Sequence, residues 1–297
     1  MKTLGDIPRK HSRLDPDKEC MVCDDVRLTW KQLNKRVNRL ANALTELGVE
    51  KETKVATLAL NCHRLIEIYY ATSKIGAVAV PLNFRLAPEE LVYIINHSDA
   101  EVLFVDHNTI EMAKQMLPEL TNIRHRIYFA EGEQGWLEYE RLLEEASDVE
   151  PEVDVSEDDL CHLQYTGGTT GLPKGVMITH RNYLTTAIGM GLALEVDFNY
   201  STLQVLPIFH TAWWPVLLHH FGGARAVIAR RFDFAEILST AEREKVTHIN
   251  MVPVLFSWLL DFPDADKYDL SSIKYFSYAG APMPEEILRR CIAKFGP

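Results

Sequence analysis

At 297 residues the chain has the length of about two ordinary domains, each with its own core, which excludes a small stapled module. Hydrophobic residues make up 47% and charged residues 25%, and the mean hydropathy is −0.11, a balance that fits neither a disordered chain nor a membrane protein. The formal net charge of −11 would on average repel nucleic acid and anionic lipid, so any nucleotide must be gripped locally.

In the first half, Thr29-Trp30-Lys31-Gln32 has a capping-box pattern. Leu33, Val37, Leu40, Leu44 and Leu47 follow at helical spacing with a stop at Gly48, which predicts a helix with one buried stripe. Strands are predicted at 55–60, 77–82 and 101–106, alternating with helices at 65–75 and 88–96. Short apolar strands between amphipathic helices imply a parallel sheet covered on both faces. No basic residue lies between Arg141 and Lys174, while nine carboxylates fall between Glu144 and Asp159. Such a run reads as a solvated linker and places a domain boundary near residue 150. Beyond it, strands are predicted near 203–206, 226–229, 248–252 and 275–278, with helices near 182–192, 234–244, 254–260 and 285–294. The expected division is a first α/β subdomain with its linker at 1–150 and a second, truncated one at 151–297.

Five cysteines, an odd number, argue against a disulfide framework and for a reducing compartment. Cys20 and Cys23 form a lone C-x-x-C without a second pair at zinc-ribbon spacing and read as bystander thiols. Residues 1–10 lack the apolar region of a signal peptide. The longest uncharged tract, 198–224, is broken by Pro207, Pro215 and Gly222 and reads as buried rather than membrane-spanning. A cytoplasmic protein is expected.

The segment that carries chemistry is 163–179, LQYTGGTTGLPKGVMIT. Four glycines, three threonines and one lysine fall within the ten residues 166–175. Glycines let backbone N–H groups converge on an anion, threonine hydroxyls add donors, and lysine supplies a full charge, which together suit a polyphosphate. This is not a Walker A loop, because the position five after Gly167 is Leu172 and Lys174 is followed by Gly175. Residues 175–179 alternate like a strand, so the loop is expected to join two strands instead of opening a helix. No G-x-S-x-G, H-E-x-x-H or G-x-G-x-x-G motif competes with it.

Tyr165 to Gly175 resembles the phosphate-binding loop of the adenylate-forming superfamily, which includes acyl-CoA synthetases, luciferases and peptide-synthetase adenylation domains. Gly167 stands where the family usually has serine, as it does in some fatty acyl-CoA ligases. Leu206-Pro207-Ile208-Phe209-His210, the segment 246–253 and Tyr278-Ala279-Gly280-Ala281-Pro282 are similar to further family segments in order and spacing. The resemblance is strongest to a fatty acyl-CoA ligase. It implies an α/β fold of two stacked, mostly parallel sheets flanked by helices, the large N-terminal domain of such an enzyme, incomplete and without its small C-terminal domain.

The activity implied is ATP-dependent conversion of a carboxylic acid, chiefly a fatty acid, to acyl-AMP and then to the acyl-CoA thioester. The same resemblance assigns ATP binding to Thr166, Gly167, Gly168, Thr169, Thr170, Gly171 and Lys174, with Gly280, Ala281 and Pro282 against the adenine. Lys174 and His210 are its catalytic candidates, and His210, Trp214 and Val252 its substrate-pocket candidates. Mg²⁺ and coenzyme A would accompany ATP, and a homodimer is admitted. The family's magnesium-holding glutamate, in a Tyr-Gly-x-Thr-Glu motif, and its later catalytic lysine find no counterpart up to Pro297, so no metal ligand is assigned and the isolated chain is expected to be inactive. His219 and His220 are adjacent and on a helix would point to different faces, so they are left out of the site. The alternatives are an acyl-AMP or aryl-acid-CoA ligase of the same superfamily, or a non-catalytic nucleotide- or acyl-binding protein.

Overall fold

A computed structural model describes residues 1–167 and 171–296, Thr211 by its backbone. The chain begins with α1 (Asp6–Leu14), β1 (Glu19–Cys23), β2 (Val26–Thr29), α2 (Trp30–Glu46), β3 (Lys54–Leu58), α3 (His63–Ile75) and β4 (Val78–Pro81). It continues through α4 (Pro88–His97), β5 (Ala100–Val105), α5 (Ile110–Met116), β6 (His125–Tyr128), β7 (Leu137–Glu138), α6 (Tyr139–Glu145), β8 (Leu160–Thr166) and β9 (Lys174–Thr179). The last part comprises α7 (His180–Ala193), β10 (Ser201–Gln204), α8 (Trp214–Phe221), β11 (Arg225–Ile228), α9 (Phe234–Arg243), β12 (His248–Met251), α10 (Pro253–Leu260), β13 (Tyr275–Tyr278) and α11 (Glu285–Phe295).

Among the described residues the strands form two sheets, ordered β13-β12-β10-β11-β1-β2 and β7-β6-β5-β3-β4-β8-β9. Each is parallel except for one antiparallel hairpin at an edge, β1 with β2 and β8 with β9. Side chains alternate between faces with a period of two, so neighbours in a strand enter different cores. Met21 and Ala226 enter a central core, whereas Val22 and Val227 enter an outer one. Val55 and Val102 likewise enter the central core, while Ala56 and Leu103 face a third. Residues of α2, α3, α7 and α8 fill the centre, α9 and α10 cover one sheet, and α4 and α5 cover the other. The layers therefore run helix, sheet, helix, sheet, helix, as two stacked, mostly parallel sheets flanked by helices.

The start of α2 has the expected reciprocal cap. Gln32 N–H donates to Thr29 Oγ1 at 3.3 Å, and Thr29 N–H donates to Gln32 Oε1 at 2.8 Å. Leu33, Val37, Leu40 and Leu44 are fully buried, each stabilising the fold by about 2 kcal/mol.

Strand membership does not follow a division at residue 150. β8 and β9 complete the sheet built from the first half, and β1 and β2 complete the other. The acidic run is largely solvated, with six of its nine carboxylates exposed, but it is tied to the body of the protein. Asn38 and Asn42 donate side-chain N–H groups to the carbonyls of Asp148, Ser147 and Val149. Asp148 pairs with Lys35, Glu150 with the buried Lys74, Asp159 with Lys51, and Asp158 with Arg181. Positive charges from α2, α3 and α7 thus strap the run to the body of the protein.

Buried histidines tie this packing to pH. Burial pushes His162, His220 and His248 down to about 3, and His180 and His219 down to about 4, from an ordinary 6.5. In the unfolded chain the same rings take up protons near pH 6.5, so acid favours unfolding. Their stabilisation is complete above about pH 6.5 and is lost as pH falls toward 3–4, by roughly 1.4 kcal/mol per pH unit for each ring. A thermal midpoint that declines between pH 6.5 and 5, above the carboxylate range, is expected; a flat midpoint there would contradict it.

Candidate functional site

The C-terminal ends of parallel strands from both sheets converge on one cleft, where open α/β sheets place their ligands. Its volume is about 760 Å³, and its walls come from positions following β3, β4, β10, β11 and β12. Apolar side chains, among them Phe84, Leu206, Phe209, Phe232, Leu255 and Trp258, make most of the lining. Arg85, Arg230 and Arg231 also line it, and no aspartate or glutamate does. Arg230 reaches Asp24 at 3.4 Å, and Arg85 lies 5.7 Å from the Phe84 ring centre. Arg231 is exposed and makes no ion pair among the described residues. In a chain of net charge −11 this is a local reversal of sign that draws anions into the cleft.

A smaller cavity of about 390 Å³ is lined by Ile94 of α4 and by Tyr165, Thr166 and Gly167, and it shares Asn83, Phe209 and His210 with the cleft. His210 therefore belongs to both. It follows β10 on a tight turn in which the His210 N–H donates to Pro207 O at 3.4 Å. Phe209 packs edge-on to Phe84 with ring centres 5.3 Å apart. Gln204, at the end of β10, donates Nε2–H to Leu206 O at 2.7 Å and to Ala212 O at 2.9 Å, bracketing the turn from within.

The glycine- and threonine-rich loop joins β8 to β9, as the alternation of 175–179 predicts. Thr166 and Lys174 are partners on the last rung of that ladder, and Tyr165 faces Gly175 on the next. A Cβ at Gly175 would stand 2.9 Å from Leu163 Cδ1 and 3.2 Å from Tyr165 Cζ, so a larger residue there would push aside the side chains that cross the hairpin. At Gly167 and Gly171 a Cβ would meet nothing within 4 Å, which leaves their backbone open to a ligand. Lys174 is exposed and makes no ion pair among the described residues. The expected contacts at Gly168, Thr169 and Thr170 lie outside the described residues.

Val252 follows β12 and lines the cleft. Gly280, Ala281 and Pro282 are exposed beyond the end of β13, where Ala279 N–H donates to Met251 O at 3.3 Å. Gly280 has φ +87°, a conformation suited to glycine, and its missing Cβ would lie 3.5 Å from Val252 Cγ1. Val252 and the 280–282 segment are thus neighbours at one end of the sheet. Trp214 is not among the residues lining the cleft. It opens α8 and its ring turns to His248, with centres 5.9 Å apart, while Trp213 is fully buried. The tryptophan that does line the cleft is Trp258 of α10, which the sequence reading missed along with Asn61 and the three arginines. The Arg230-Arg231 pair immediately after an apolar strand was the available signal.

His219 and His220 serve packing. His219 stacks on His248 at 5.2 Å, and the His220 ring is hydrogen-bonded to the Tyr70 hydroxyl at 2.9 Å and the Cys20 carbonyl at 3.0 Å. Cys20 and Cys23 are free and buried, and burial raises both thiols above their ordinary range. No group of three or more His, Cys, Asp or Glu residues among those described is placed to hold a metal ion.

The chain belongs to the AMP-binding enzyme family, whose pattern matches residues 9–297. Among curated relatives it is 32% identical over 300 residues to the long-chain-fatty-acid CoA ligase FadD13 of Mycobacterium tuberculosis, covering 99% of this chain and 58% of that protein. It is also 32% identical over 292 residues to a feruloyl-CoA synthase of Amycolatopsis, covering 97% and 56%. The chain therefore spans less than two thirds of the length of these relatives. Among solved structures, an inhibitor-bound N-terminal domain of FACL13 from Mycobacterium tuberculosis superimposes with a TM-score of 0.91 at 29% identity, covering 99% of this chain and 74% of that one. An anthranilate CoA ligase, AuaEII, in complex with anthranoyl-AMP gives a TM-score of 0.95 at 25% identity, with 99% and 58% covered.

Proposed function

We propose that this chain supplies the ATP- and acid-binding part of an AMP-forming acyl-CoA ligase. The observation that carries this reading is the place of His210, shared by an apolar, cation-rimmed cleft and by the cavity beneath the glycine-rich hairpin. A carboxylic acid would lie with its body along Leu206, Val252 and Leu255 and its carboxylate beside His210. A carboxylate is ionised at pH 7, so its attack on the α-phosphorus of ATP needs no general base. A carboxylate oxygen bonds to phosphorus as the bond to the bridging oxygen breaks, giving acyl-AMP and pyrophosphate. The thiol of coenzyme A then displaces AMP from the acyl carbon. Backbone N–H groups of the hairpin loop and Lys174 would hold the departing pyrophosphate, a task of positioning and charge compensation. The described residues offer no group of three or more His, Cys, Asp or Glu side chains for magnesium. The five free cysteines, four of them buried, support a cytoplasmic setting.

The test is acid-dependent exchange of pyrophosphate into ATP by the full gene product, across a panel of fatty and aromatic acids. Fatty acids are expected to support exchange best. The ring-rich walls at Phe84, Phe209, Phe232 and Trp258 favour an aromatic acid as the second reading. Nucleotide binding without exchange for any acid would replace both with a non-catalytic binding protein. Trp258→Ala is expected to shift the preferred acid size, while Trp214→Ala leaves it unchanged. The opposite pattern would return the acyl wall to Trp214.

A further inference from the structure

The backbone of the turn that carries His210 is hydrogen-bonded from the opposite sheet by the side chain of Asn61. Asn61 lies in the loop after β3 and is 6% exposed. Its Nδ2 donates to Leu206 O at 3.0 Å and to Ala229 O at 3.2 Å, the carbonyls beyond the ends of β10 and β11. Its Oδ1 accepts from the Ile208 N–H at 2.8 Å. Both amide donors and the oxygen thus have backbone partners, which also fix which way the amide faces. The loop bearing Asn61 is itself anchored, because the Leu60 N–H donates to Asp106 Oδ2 at 3.1 Å. Asp106 in turn accepts from the N–H groups of Asn108 and Thr109. Gln204 meets Asn61 on the same carbonyl, Leu206 O, from the other side.

We propose that Asn61 is a positioning residue for the adenylation step: it sets the height and direction of the 206–210 turn from the neighbouring sheet, and so places His210 between the two cavities. This inference rests on the function proposed above. A buried amide that serves only to join the sheets would alter stability. One that acts through His210 must also alter turnover, because a displacement of about 1 Å at a reacting group can cost about 100-fold in rate.

The test is a double-mutant cycle in the full gene product, with thermal midpoints measured alongside kcat and the KM values for acid and ATP in pyrophosphate exchange. Asn61→Ala is expected to lower kcat between about 10- and 100-fold, with each KM changed by less than about threefold. In a His210→Ala background the same change is expected to lower kcat by less than about twofold, since its route of action is already gone. Equal losses of kcat in both backgrounds, or a lowered midpoint with unchanged kcat, would overturn the proposal. Where Asn61→Ala does not accumulate as folded protein, Asn61→Asp carries the same comparison, since it keeps the shape and the acceptor for the Ile208 N–H. Exchange by the wild type that His210→Ala leaves intact sinks this inference while the ligase reading stands. No exchange by the wild type removes both.

Discussion

Replacing Lys174 by alanine is expected to slow acid-dependent pyrophosphate exchange by about 100-fold, the scale seen when a single charge-stabilising donor is removed from a transition state. Lys174 opens β9 opposite Thr166, so its ammonium leaves the hairpin at the mouth of the loop, with no carboxylate of the described residues to neutralise it. In a protein of net charge −11, no general positive field would take over its work. The loss should fall on the step in which charge moves onto pyrophosphate. The dissociation constant of the acid, measured by calorimetry without ATP, should move less than about twofold, because the apolar walls of the cleft are untouched. If acid binding weakens as much as exchange, Lys174 is a structural support for the cleft and its assignment to the phosphates fails.

The second large effect is one of stability and lies far from the chemistry. Arg36 of α2 sends paired hydrogen bonds to Glu67 of α3 at 2.8 and 3.1 Å, and to Glu140 of α6 at 2.9 and 3.1 Å. Glu67 is completely buried and also accepts from the Tyr139 hydroxyl at 2.7 Å. Arg36→Ala would strand the Glu67 carboxylate in the interior, at an expected cost of about 3–5 kcal/mol in denaturant unfolding. Arg64 pairs with Glu140, a carboxylate 39% exposed, and lies 5.7 and 5.5 Å from the Phe129 and Tyr139 ring centres, so Arg64→Ala leaves no fully buried charge and should cost about 1–2 kcal/mol. The double variant Arg36→Met with Glu67→Leu should recover much of the loss, because it removes both charges instead of one. A cost for Arg36→Ala no larger than that for Arg64→Ala would show that water reaches Glu67.

The Arg36 network also marks where sequence reasoning stopped. Local signals were legible: the Thr29–Gln32 cap, the stripe Leu33, Val37, Leu40 and Leu44, and the hairpin around the loop, each written within a few residues. Partners fixed by long-range packing were not. Nothing near Arg36 names Glu67 or Glu140, and nothing near Asn61 names Leu206 or Ala229. The strapping of the acidic run could not be read because its partners Lys35, Lys51, Lys74 and Arg181 lie elsewhere in the chain. Trp214 was a candidate only through the family resemblance, and the start of α8 points it at His248, while Trp258 arrives at the cleft on a different helix. At the site, the residue types suited to polyphosphate could be read from the loop itself. The cationic rim needed β4 and β11 to be brought together.

The parallel pairing of β1 with β11 joins Met21 to Ala226, two of the most widely separated partners in either sheet. On the ribosome, the first hairpin would therefore be made early and wait through roughly two hundred residues of synthesis with one edge unpaired, a slow, high-contact-order closure. Through that interval Met21, Val22 and Cys23, all buried at the end, are exposed to aggregation or to a chaperone. The same crossing means that a chain cut near residue 150 would lack β11 for the first hairpin and β8 for β4. Fragments for expression are better chosen to keep both sheets whole.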